Sequence, residues 1–240
     1  MRVPDLPPMP DAPQHVPPAR HLEQGGAWKV LDRLHDAPLN FEPPLGDEFD
    51  PLDGWTIDHY RQPLPSEAPG EPVAGGSWEV AKDCLEDYEF ADPRLIRAVY
   101  RQEDPLVGRT MLLIGRFGPL RFHMGARVYA VVDEEREVDG RAVRVWGWGY
   151  QTLTGHLETG RMRFQAWKWL DDGAVEFRMD AASRPAHIPN LVVRWGFAVF
   201  GRRLQLRFAR RACARMNAMV RARLAGAPIR EPAIEGIDVR

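Results

Sequence analysis

A histidine and a glutamate two residues apart, His156 and Glu158, follow Tyr150 in the run GWGYQTLTGHLETG. On an extended segment the three side chains share one face, and an imidazole beside a carboxylate is a workable acid–base pair. A hairpin turn accounts for the same residues, because glycines bracket the segment and polar side chains there satisfy turn backbone groups. No nucleophile or metal-ligand spacing accompanies the pair. Further along, Ser183, Arg184 and Pro185 sit at the end of an alternating segment. The planar guanidinium of Arg184 would suit a bidentate grip on a carboxylate or phosphate, or an ion pair with an internal acid such as Glu158. Trp146, Trp148, Trp167 and Trp169 form two pairs at strand spacing, suited to lining an apolar pocket or to filling a core. Arg203, Arg207, Arg211 and Arg215 make a row at four-residue intervals, in a stretch with no acidic residue between Asp180 and Glu231. Such a row is neutralised by acids elsewhere in the chain, or it meets an anionic lipid surface or an acidic partner.

The elements that must position these residues follow from periodicity. Residues 1–45 are proline-rich and read as an extension, partly disordered, apart from a short amphipathic piece carrying Trp28, Leu31 and Leu34. The segment from Trp55 to Tyr60 alternates and predicts a first strand. SWEVAKDCLEDYEF predicts a helix with Ser77 as its N-cap and Val80, Ala81, Cys84, Leu85 and Tyr88 on its buried stripe. DPRLIRAVYR predicts a second short helix or a turn, with Pro93 at its first position. From about Thr110 the period changes to two, through several segments separated by turn residues at Asp139-Gly140 and Asp171-Asp172-Gly173. Phe164 and Ala166 fall on one face of their strand, Trp167 and Trp169 on the other. The last element is a long helix whose stripe is Val193, Phe197, Phe200, Leu204 and Phe208, ended by Gly226 and Pro228.

These elements define an α+β fold: a curved antiparallel β-sheet wrapped around a long C-terminal helix, with two short helices early in the chain. The domain is expected over residues 46–228, followed by a tail from 229 to 240. At 240 residues and 44% hydrophobic composition the chain supports a sizeable core. Two distant cysteines, Cys84 and Cys213, exclude a disulfide scaffold and zinc-ligand spacing, and point to a reducing cytoplasm. No apolar run is long enough to cross a membrane. A sequence pI near 6.4 and the absence of a recognised motif argue against nucleic acid. Neither a cofactor nor a metal is expected. The glycines of GWG and LTG lack the lysine and the helix that a phosphate loop needs.

Residues 147–164 and 175–188 resemble the family of the domain of unknown function 1990, which has an aromatic-G-T-L-x-G-H-x-E-x-G-E-E-x-F run and a later S-R-P. Tyr150, Thr152, Leu153, Gly155, His156, Glu158, Gly160, Phe164, Ser183, Arg184 and Pro185 match. The resemblance covers roughly residues 48–225. Gln151 replaces a glycine of that pattern, and Arg161 and Met162 replace its paired acids, so any chemistry resting on those acids is not carried over. The layout is similar to START-type and birch-pollen-allergen-like helix-grip folds, which implies a cavity between sheet and helix. The expected function is binding of an apolar or amphipathic small molecule, with Tyr150, His156, Ser183, Arg184 and the four tryptophans as contacts. The alternatives are an enzyme using His156 as acid or base, and an adaptor working through the arginine helix.

Overall fold

The structure is a computed structural model that describes residues 26–44, 48–117, 120–188 and 191–227. The side chains of Phe117, Val192, Val193, Ala198 and Val199 fall outside that description, as do most of the expected proline-rich arm and the tail. In chain order the elements are α1 (Ala27–His35), β1 (Thr56–Leu64), α2 (Ser77–Glu86), β2 (Ile96–Val99), β3 (Thr110–Phe117), β4 (Leu120–Val138), β5 (Arg141–Thr152), β6 (Glu158–Trp169), β7 (Val175–Pro185) and α3 (Leu191–Leu224). A 3₁₀ turn, Pro51–Asp53, precedes β1.

The seven strands form one sheet in the order β1-β7-β6-β5-β4-β3-β2, antiparallel throughout. Strands β2 to β7 follow the chain as a meander, and β1 returns to pair with β7. The two hairpins read from the sequence are present, with positive φ at Asp139 (53°), Gly140 (75°) and Gly173 (72°). Positive φ at both central residues suits the primed turn that matches strand twist. Gly160 tolerates no substitute: at φ 148° an added Cβ would lie 2.0 Å from the carbonyl oxygen of Ala182.

Alternation sorts the side chains onto two faces. Trp146, Trp148, Phe164, Phe177 and Met179 face the main core, with α2 and the second half of α3 above them. Val143, Val145, Trp167 and Trp169 face the other way. That outer face is covered further along by α1, whose Leu31 and Leu34 pack against Leu112, Ile114 and Leu153. Arg127 fixes α1 by donating from Nη2 to the carbonyls of Leu34 (3.1 Å) and Ala37 (3.2 Å) at its C-terminal end.

Two local expectations are corrected. Ser77 is the first helical residue of α2, and Gly76 stands at the N-cap. The free N–H of Trp78 is instead met by the carboxylate of Glu67 (2.7 Å), a remote acid that also holds Lys168 Nζ (2.7 Å). DPRLIRAVYR is a turn followed by β2, an edge strand. Asp92 Oδ1 accepts the N–H of Arg94 (2.9 Å), which closes the turn and frees Ile96–Val99 to pair with β3. The arginine row is partly neutralised within the chain, one of the outcomes the sequence leaves open. Arg211 is ion-paired with buried Asp92, and Arg215 Nε donates to the carbonyl of Glu89 (2.8 Å). Arg203 is exposed, and Arg207 half-buried.

The long helix ends as the sequence predicts. Gly226 has φ 59°, Ala227 N–H reaches the carbonyl of Ala222 (2.9 Å) and Gly226 N–H that of Arg223 (3.1 Å). This paired closure is the Schellman arrangement.

Candidate functional site

The concave face of the sheet is filled over only part of its length. Near α2, the rings of Tyr88, Phe90, Trp148, Phe164 and Phe177 pack at tilted or edge-to-face angles with centroids 4.7–6.0 Å apart, filling this half of the core. Ala209, Ala212, Met216, Met219 and Val220 of α3 complete that half. Beyond it the first half of α3 stands off the sheet and encloses a cavity of about 550 Å³. Small residues form part of its lining: Gly115, Gly160 and Ala181 on the strands, Gly196 and Gly201 on the helix. The helical glycines that weaken propensity in the sequence thus lie at the cavity wall.

Most of the wall is apolar. Phe197, Phe200, Leu204 and Phe208, the sequence-predicted stripe, contribute the helix side, and Leu113, Phe122, Met124 and Met162 the sheet side. The side chain of Val193, the stripe's remaining member, lies outside the described residues.

Most of the cavity's polar residues gather where β5 turns into β6, while Arg116 lines the β3–β4 end. Thr152 Oγ1 accepts the N–H of Gly160 (2.9 Å) across that turn and donates to Asn40 Oδ1 (2.6 Å). His156 N–H reaches the carbonyl of Leu153 (3.1 Å), and His156 Nδ1 accepts the N–H of Glu158 (2.9 Å). The T-L-T-G-H-L-E-T-G segment is therefore a built turn, and the same turn places His156 and Glu158 on the cavity wall beside Tyr150. The hairpin-turn explanation describes the segment, and the turn also sets the three side chains along the cavity.

The electrostatics of the pair follow from burial. Removal from water lowers the His156 imidazole to about 4 and raises the Glu158 carboxyl to about 7. Tyr150 is pushed well above its ordinary value by burial and then by the Glu158 charge, so it stays a phenol. Tyr150 Oη lies 3.7 Å from the Met162 sulfur. With Nδ1 taken by a backbone N–H, neutral His156 carries its proton on Nε2. Neither ring nitrogen then offers a lone pair for proton abstraction. Glu158 is the group here whose charge changes near neutrality.

One contributor escapes sequence reading. Gln205, on α3, donates from Nε2 to a Glu158 carboxyl oxygen and to Ser183 Oγ (3.2 Å). Its own amide oxygen accepts from Arg202 (3.2 Å), whose guanidinium is paired with Asp58 (2.7 Å). A chain of polar contacts thus ties β1, β7, β6 and α3 together along one flank of the cavity. The available signal was an uncharged amide next to Leu204 on the helix's apolar stripe.

Of the predicted contacts, Tyr150, His156, Glu158 and Ser183 come together on the cavity wall. Arg184 does not join them. Its guanidinium lies 4.4 Å from the ring centre of Trp55, because successive strand residues point to opposite faces and Ser183 takes the inner one. The four tryptophans are not cavity residues either. Trp148 is inside the packed core with its Nε1 donating to Leu85 O (2.9 Å), and Trp146 carries Lys82 over its ring (5.5 Å). Trp167 and Trp169 are on the outer face, interleaved with arginines: Arg178 lies 3.6 Å from the centre of Trp167 and Arg141 4.4 Å from that of Trp169. Gln151 and Arg161 pair across β5 and β6, and the Arg161 guanidinium stacks over Tyr129 (4.5 Å). Met162 lines the cavity, and Arg161 contributes to its lining as well. Among the described residues no group of histidine, cysteine, aspartate and glutamate forms a metal site, and no helix is long and apolar enough to cross a membrane.

Fold and site together define a helix-grip α+β domain with a largely apolar internal cavity. The chain belongs to the family described as "Domain of unknown function (DUF1990)", whose model matches residues 45–215. No curated protein sequence matches it. Solved structures similar to it include Ara h 8.0201 (10% identity, 68% of this chain and 98% of the other, TM-score 0.36). They also include the Zhui aromatase/cyclase from a Streptomyces species (15% identity, 72% and 100%, TM-score 0.40). A third is human STARD10 (10% identity, 71% and 68%, TM-score 0.33).

Proposed function

We propose that this protein binds a small apolar or amphipathic molecule between the first half of α3 and the concave face of the sheet. The observation that carries the reading is the cavity of about 550 Å³ with an apolar wall and one polar flank. That volume is in the range of small-molecule sites, and convergent polar groups on a mostly apolar wall are what orient such ligands. The ligand's body lies against Phe197, Leu204, Phe208 and Met162, and its polar end meets His156, Glu158, Ser183 and Gln205.

Native mass spectrometry of protein taken from its own host, followed by denaturing extraction, tests the reading directly. A stoichiometric small molecule is expected with the wild type. Leu204→Trp, which adds an indole to the cavity wall, should lower its occupancy at least about tenfold while leaving the protein folded. Equal occupancy in both proteins would place the molecule elsewhere and sink the proposal.

A further inference from the structure

We propose that the outward side of the first half of α3 docks on a phospholipid bilayer that carries anionic headgroups. This goes beyond the binding of a small molecule and stands on the surface of the helix, whatever the cavity holds. α3 carries nine arginines and no acidic residue, in a chain whose net charge is −2. Part of that charge is answered inside the chain: Arg202 pairs with Asp58, Arg211 with Asp92 and Arg223 with Glu89. Arg203, Arg207 and Arg210 have no acidic partner among the described residues. Spacings of four and three put these three on one side of the helix, where Arg203 and Arg210 are exposed and Arg207 is half-buried. A concentrated positive strip with no acid beside it favours an anionic surface.

An apolar strip runs beside the arginines. Leu191 and Trp195, one turn apart, are 60% and 73% exposed. Leu206, three turns beyond Trp195 on nearly the same line, is half-buried and belongs neither to the cavity lining nor to the packed core. Large apolar side chains flanked by arginines suit a helix lying in a membrane interface: the indole sits at headgroup level, the leucines reach the acyl boundary, and the guanidiniums meet phosphates and carboxylates. A nucleic-acid strand would answer the arginines and leave both leucines in water. The opposite side of the same segment presents Phe197, Phe200 and Leu204 to the cavity, so docking sets the helix wall of the cavity against the bilayer.

Co-sedimentation of the full-length protein with vesicles tests the docking. Vesicles of phosphatidylcholine mixed with phosphatidylserine should bind at least about tenfold more tightly than phosphatidylcholine alone, and the margin should shrink as salt is raised. Neutralising the row together, as Arg203→Gln, Arg207→Gln and Arg210→Gln, should weaken binding to the mixed vesicles on the order of a hundredfold. The wild type supplies a second readout that does not depend on how a variant folds. Brominated phosphatidylcholine in the mixed vesicles should quench tryptophan fluorescence through Trp195, since the other seven tryptophans are buried or half-buried. Trp195→Phe should remove that quenching and keep the binding. Equal binding to both kinds of vesicle, an unchanged triple variant, or no quenching in the wild type would each overturn the proposal. So would tighter binding to a mixed-sequence oligonucleotide than to the vesicles. None of these outcomes bears on the cavity reading, which the mass of a bound molecule decides separately.

Discussion

His156 and Glu158 share one turn and one source of perturbation, loss of water, yet burial moves their ionisation in opposite directions because one is charged when protonated and the other when not. Stability follows with opposite signs. The imidazole, depressed from 6.5 to about 4, contributes stability that is whole above 6.5 and drains away as pH falls toward 4. The carboxyl, raised from 4.5 to about 7, contributes most below 4.5 and loses it as pH rises toward 7. In the wild type the two slopes oppose each other between about pH 4.5 and 6.5. Urea midpoints across pH 4 to 8 should therefore vary little from this pair. Glu158→Gln should uncover an acid-side decline and gain roughly 1–3 kcal/mol at pH 8. His156→Gln should uncover the reverse, a decline from acid toward pH 7. Parallel profiles for both variants would show that the pair does not control them.

At the scale of elements, the placing of α2 depends on a contact far away in sequence. The N-terminus of the helix is met by Glu67, whose side chain is 4% exposed and is joined to Lys168, which is 0% exposed. Lys168 also donates to the carbonyl of Glu71 (2.6 Å), so its ammonium is satisfied without water. This knot pins the loop before α2 to strand β6. Removing one partner leaves a buried charge, and Glu67→Ala should cost about 3–5 kcal/mol in denaturant unfolding. Replacing both, as Glu67→Gln with Lys168→Met, should cost clearly less. If the double variant is as damaged as the sum of the singles, the ion pair is not the unit that holds α2. Along α3 a different division applies. Ala212, Met216, Met219 and Val220 are locked into the core, whereas Phe197, Phe200, Leu204, Gln205 and Phe208 line the cavity. Amides of the first half should therefore exchange hydrogen faster, and a saturating ligand should protect them selectively. Uniform exchange along the helix would contradict a ligand seated there.

The whole molecule joins a filled half and an open half on one concave sheet. Sequence alone determined the parts whose cause is local. The period-two segments, the Asp139-Gly140 and Gly173 turns and the Gly226 stop depend on φ preferences and alternation, so they are legible from a few neighbouring residues. The nearness of Tyr150, His156 and Glu158 was legible for the same reason, since one hairpin carries all three. Parity also separated Phe164 and Ala166 from Trp167 and Trp169 before the fold was in hand. What only tertiary structure decided is which face looks inward, and what stands opposite it. Trp146 and Trp148 went to the filled half, Arg184 to the outside over Trp55, and Ile96–Val99 to an edge strand. Gln205 reached Glu158 across 47 residues of sequence, and Glu67 reached Lys168 across 101. No local periodicity encodes those meetings. They arise because closing the sheet against the helices leaves buried polar groups that must find partners wherever the chain brings them.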